Sequence, residues 1–299
     1  MTESGDAPGE TTPGTSSRTQ INRKELGYLL RKKSPRPANL VLTLFALFCL
    51  TCCVACSAPE SAPTVAPKGT ASLNKAALDL LQKADESYAA RADLGRVREG
   101  LETLRRVRAV DFSNYDAAWR MARLSYTLGD LTTDKAEKEK AFSEGIEAGE
   151  MAVRAEPNKP EGHFWLGANQ GGYAQAKGPL YGLSAAETMR KEMETVLRLD
   201  ESFQGGSAFM VLGRLDLELP SMLGGDPKRA VETLERGLRY GEQNSLLRLR
   251  LAEAYLRVKR MEDARAQLNF ILNMKPPPEF LPEYKESETK ARELLRKKF

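Results

Sequence analysis

The chain has 299 residues, 45 of them basic and 41 acidic, with 41% apolar and 29% charged side chains, which is enough for one large domain or two ordinary ones. Seven of the basic and four of the acidic residues precede Ser57, so the remainder is nearly neutral, 38 against 37. That balance excludes a nucleic-acid partner, whose phosphates demand a basic face.

From the N-terminus, residues 1–37 form a polar leader ending in Arg31, Lys32, Lys33 and Arg36. An uncharged stretch follows from Ala38, with Leu40 to Leu50 at its centre and small residues at its end. Basic flank, apolar centre and small residues are the order of a secretory signal. The end, Cys53-Val-Ala-Cys56, resembles a bacterial lipoprotein processing site, with Cys56 as the lipidated residue and Cys53 departing from the usual Leu. The alternative is an uncleaved anchor, since about 19 residues is near the lower limit for spanning. The long leader is either a cytoplasmic tail or the product of a start codon set too far upstream. Either form of residues 38–56 places the domain outside the cytoplasmic membrane, with the basic flank inside. The four cysteines, Cys49, Cys52, Cys53 and Cys56, lie in or beside this run. The rest of the chain therefore has no disulfide framework and no thiolate metal site. Residues 57–71, rich in Pro, Ala and Ser, read as a flexible linker.

Residues 72–299 show no sustained apolar alternation. Apolar residues recur three and four apart, as in Leu73, Ala76, Ala77, Leu80, Leu81, Ala84 and Tyr88, which predicts helices. Ser72 to Val110 reads as one helix pair. Trp119, Ala122 and Tyr126 followed by Gly145, Gly149, Ala152 and Pro157 read as a second. Leu166-Gly167 with Met189, Met193 and Val196 gives a third, and Leu212-Gly213 with Ala230, Leu234 and Gly237 a fourth. In Leu247–Pro276, Leu251, Ala252 and Tyr255 are followed by Ala264, Leu268, Ile271 and Pro276 around an Arg260–Asp263 turn. This window strongly resembles a tetratricopeptide (TPR) repeat, about 34 residues in two antiparallel helices. Pro282–Phe299 reads as the polar capping helix such arrays need. The predicted fold is an all-α, TPR-like α-α superhelix. Asp130–Glu139, Gly171–Leu183 and Leu219–Gly225 read as insertions between paired helices, where repeat proteins often build binding sites.

His163-Phe-Trp-Leu-Gly-Ala-Asn-Gln-Gly-Gly-Tyr173, Gly205-Gly206, Leu212-Gly-Arg-Leu215 and Leu219-Pro-Ser-Met-Leu-Gly-Gly-Asp-Pro-Lys-Arg-Ala230 resemble the T component (TatT) of tripartite ATP-independent periplasmic (TRAP) transporters, over roughly Ala117–Pro276. The resemblance implies a periplasmic, lipid-anchored protein, outer membrane favoured, working with a substrate-binding P protein and a permease. It also implies a hydrophobic or acidic organic ligand. The competing readings are a general cell-envelope TPR scaffold without a transport role and, least favoured, an enzyme built on the insertions. A homo-oligomer stays open.

No catalytic set, metal site or cofactor is predicted. His163 is the only histidine and is read as packing or hydrogen bonding, because a triad base or multi-His site cannot be built from it. Trp165, Asn169, Tyr173 and Lys177 follow each other at helical spacing, and with Tyr181 in the adjoining insertion they are the candidate ligand or partner residues. Core packing alone explains Trp165, and Asn169 is read first as capping the adjoining insertion and second as facing a ligand. Gly171-Gly172 and Gly224-Gly225 are read as turns, and the mixed charge run Lys135–Lys140 as a solvated helix face.

Overall fold

The computed structural model describes residues 68–276, 278 and 281–299, with side chains from Lys75 onward except at 179 and 180. Cys56, the leader and the apolar stretch lie outside the described residues. The described residues form one compact unit.

Eleven helices are described: α1 (Lys68–Ala89), α2 (Leu94–Val110), α3 (Tyr115–Leu131), α4 (Lys135–Ala155), α5 (Pro160–Lys177), α6 (Pro179–Leu199), α7 (Ser207–Glu218), α8 (Pro227–Gly237), α9 (Ser245–Arg257), α10 (Met261–Asn273) and α11 (Leu281–Lys298). They pack as consecutive antiparallel pairs, α1/α2 to α9/α10, with α11 closing the end. The second helix of each pair also packs on the first helix of the next. On the other side α1 packs on α3, α3 on α5, α7 on α9 and α9 on α11. One layer of odd-numbered helices therefore lines one face and the even-numbered helices form the other.

The starts of these helices are written in the sequence. Asp93, Asn114, Asp134, Asp226 and Asn244 accept from backbone N–H groups of the turns they open, satisfying donors that a helix start leaves free. Pro160, Pro179 and Pro227 occupy first helical positions, where the missing N–H costs nothing. The core runs as three clusters, from α1 to α7, from α7 to α10, and from α9 to α11. Leu101, Leu124, Leu234, Leu251 and Leu268 are essentially inaccessible, each contributing roughly 1.5–3 kcal/mol relative to exposure.

Two of the predicted insertions are mostly helix. Only Thr132–Asp134 separates α3 from α4, and only Gly178 separates α5 from α6. Lys135–Lys140 joins the helix because Asp134 caps it (Glu137 N–H to Asp134 Oδ1, 2.7 Å) and its residues are good helix formers. Gly171-Gly172, expected as a turn, lies inside α5. Packing decides the matter: a Cβ on Gly172 would stand 2.2 Å from the Phe142 ring, and one on Gly171 2.6 Å from Met189 Cε. The glycines admit neighbours, and so reverse no chain. The third insertion is a true turn, with a short 3-10 element at Ser221–Leu223 and Gly224 at φ +89°, a conformation glycine adopts at no steric cost.

Candidate binding face

The odd-numbered layer carries the charged and aromatic side chains that no helix pair consumes. Asp85 and Tyr88 on α1 and Arg91 just beyond its end follow at spacings of three; on α3, Trp119, Arg120 and Arg123 face them. Asp85 accepts from Arg120 Nε at 3.1 Å and from Arg123 Nη2 at 2.5 Å. The Arg123 guanidinium lies 3.9 Å from the centre of the Tyr88 ring and 4.8 Å from that of Trp119, so cation–π attraction joins the ion pair. Burial lowers the Arg123 pKa, and Arg123 Nε is buried without a hydrogen-bond partner.

The layer curls until its ends meet. Arg91 grips Glu283 of α11 through two nitrogens, Nε at 3.1 Å and Nη2 at 2.9 Å to both carboxylate oxygens. Such a forked contact fits planar guanidinium to carboxylate, here between residues 192 positions apart. Farther along, Tyr126 stacks obliquely on Phe142 and Trp165, with ring centres 6.0 and 5.8 Å away. Its phenol is pushed up, first by burial and then by Asp130. The Asp130 carboxyl is itself raised, first by burial and next by Glu286 of α11. Arg214 of α7 pairs with Glu218 at 2.7 Å and lies near enough to act on both Tyr126 and Asp130.

The residues singled out from sequence fall into two groups. Trp165 and Asn169 are in the core. Asn169 is fully buried, and its Nδ2 donates to Ala122 O at 2.9 Å and Trp165 O at 2.7 Å, so the amide stitches α5 to α3 and caps no insertion. Gly145 on α4 makes room for it, since a Cβ there would sit 2.0 Å from Asn169 Oδ1. Tyr173, Lys177 and Tyr181 come together at the surface. The two rings meet edge to face at 6.4 Å, Lys177 lies 5.5 Å from the Tyr173 centroid and pairs with Glu139 of α4, and Tyr181 is 52% exposed. His163 packs as expected, 2.6 Å from Glu192 and 2.9 Å from Pro157 O. The hydrogen bond to Glu192 raises its pKa.

The arrangement offers recognition, with charges compensated in pairs. No group of three or more His, Cys, Asp or Glu able to hold a metal occurs among the described residues, and no described helix is long and apolar enough to cross a membrane. The Asp85–Arg91–Arg123–Glu283 cluster was missed from sequence. Tyr88 and Trp119 were visible only as apolar periodicity, and nothing local marks a contact across 192 positions.

Comparison with known proteins divides the chain in the same way. A family model described as regulator of microtubule dynamics protein 1-3 matches residues 80–224, and a tetratricopeptide-repeat model matches 222–281. Regulator of microtubule dynamics protein 3 of Bos taurus is 27% identical over 137 residues, 46% of this chain but only 28% of its own length. Among solved structures, a thermophilic TPR protein of Thermus thermophilus superposes with a TM-score of 0.54 at 21% identity, over 73% of this chain and 98% of that one. The pilF protein of Pseudomonas aeruginosa gives 0.50 at 17%, over 75% and 93%. These likenesses are of fold. With the repeat match and the helix-pair array, they make this an all-α TPR protein. Neither matching family is described as an enzyme.

Proposed function

We propose that the chain is a docking scaffold that binds a segment of a partner protein along its odd-numbered helices, while residues 38–56 hold it to a membrane. The observation that carries this is the surface just described. Arg91, Arg123, Asp130 and Arg214 converge with Tyr88, Trp119 and Tyr126 on one layer, and arginine and aromatic side chains are the types that dominate protein interfaces. In this reading Cys56 or the apolar stretch acts as tether, and the surface cluster of Tyr173, Lys177 and Tyr181 is a secondary contact at the edge of the array.

A second reading, supported by the motifs in 163–173 and 219–230, is that of a TRAP-type T component whose partner is a periplasmic substrate-binding protein, with a hydrophobic organic ligand. Packing already accounts for several of these residues: Asn169 serves α3, and Asp216 O accepts from Asp226 N–H at 2.9 Å to pin the Gly224-Gly225 turn. The motifs therefore support architecture more than transport.

One experiment addresses both. A photo-crosslinking side chain is placed at Asp130 on the odd-numbered layer or at Glu232 on α8, in the full chain in membranes. Protein adducts from position 130 and none from 232 are expected. Adducts only from 232, or none from 130, defeat the docking reading. Mass spectrometry of the adducts separates the two partners: a solute-binding protein supports the transport reading, and envelope assembly factors support the general scaffold.

A further inference from the structure

Helix α11 fills two roles. Its far half completes the third core cluster through Ala291, Leu294 and Leu295. Its near half lies against the opposite end of the array. There Glu283 occupies Arg91, whose side chain is only 6% exposed, beside the rings and guanidinium of Tyr88 and Arg123.

We propose that the near half of α11 is a displaceable occupant of the binding face, and that the partner it stands in for is an acidic helix whose carboxylate takes Arg91 in place of Glu283. The inference rests on the docking reading above and names the partner's chemistry. Four observations support it. Arg91 sits in an aromatic-backed seat beside Arg123, which Asp85 already holds, and the forked guanidinium of Arg91 selects a carboxylate. Arg123 Nε is a buried donor that Asp85 leaves unmet, so the seat has room for one more acceptor. The near half of α11 is lightly held: Ser287 is its one buried residue and Tyr284 packs only partly on the third cluster, against nine buried residues on α3, and segments with few buried contacts open first. Finally, the Asp130 carboxyl is raised first by burial and next by the like charge of Glu286, a repulsion that works against the seating of α11.

The test uses a fluorescent peptide of residues 281–298 and the full chain. Against the Glu283→Gln protein, in which the resident helix has lost its grip, the peptide is expected to bind on the order of tenfold more tightly than against the unaltered chain, because the competent fraction rises. A peptide carrying Glu283→Gln should lose that gain; the change sits on the peptide, so misfolding of the protein cannot mimic the result. Equal binding of both peptides, or binding of neither to either protein, overturns the proposal. Amide exchange gives an independent check. The Glu283→Gln change should speed exchange within 283–290 about tenfold while α9 and α10 stay as they were, and unchanged exchange in 283–290 also overturns it. If the peptide fails while crosslinks from position 130 persist, the acidic-helix inference falls and the docking scaffold stands.

Discussion

The α3–α5 region and the α8–α10 region solve the same packing problem by different means. In α8–α10, side chains interlock: Leu234, Leu247, Leu251 and Leu268 fill the space between helices, and Ala252, Ala254 and Ala264 sit where helices cross. In α3–α5, glycines let their neighbours in close. Gly145 receives Asn169, Gly149 meets the backbone of Leu166, and Gly172 admits the Phe142 ring. Interlocking side chains tolerate exchange if volume is kept. A glycine contact this close has no slack, since the first added carbon already collides. The regular region is the one matched by the repeat family, and the backbone-packed one falls in the other match.

Substitutions can break this comparison. The largest effect is expected from Gly145→Ala, where the methyl would overlap the Asn169 amide; urea unfolding should show a loss of about 3 kcal/mol. Leu251→Met, fully buried in the other region, should cost under about 1.5 kcal/mol in the same assay. If the two losses match, the contrast is mistaken. Next comes Asp216, 1% exposed and shared by Arg190 Nη2 at 2.6 Å and Arg229 at 2.6 and 2.8 Å. Removing the carboxylate leaves two partly exposed guanidinium groups unpaired, and Asp216→Leu should cost about 2 kcal/mol. Asp226→Ala removes a cap from Lys228 and Arg229 N–H and should cost about 1 kcal/mol.

The smallest expected effect is a pH dependence. His163 gains an acidic partner on folding, so its folded pKa lies above its unfolded 6.5. The stability this contributes is fully present below 6.5 and is lost as pH rises through the raised value. Glu192→Gln should flatten that part of the stability profile measured from about pH 5 to 9. An unchanged slope would mean that another group carries it.

Much of the architecture was legible because helix signals are local. Caps such as Asp226-Pro227, periodicity in Leu73–Tyr88 and the Leu247–Pro276 unit each lie within one helix or one helix pair. The errors came where a residue's meaning depends on a distant neighbour. Gly171-Gly172 looks like a turn until Phe142 and Met189 are in place, and Asn169 looks free for capping until Ala122 supplies a carbonyl. The binding face was the least legible part. Arg91 and Glu283 are ordinary surface-type residues in sequence, and only the curl of the whole array gives them to each other.

That pairing also bears on how the chain folds. Helix pairs close over short loops, so structure can grow pair by pair as the chain leaves the ribosome. The Arg91–Glu283 contact is different in kind, because Arg91 must wait for α11 to be synthesised and docked. It belongs late on the pathway, outside any early nucleus, so weakening it should leave the folding rate nearly unchanged and appear in faster unfolding.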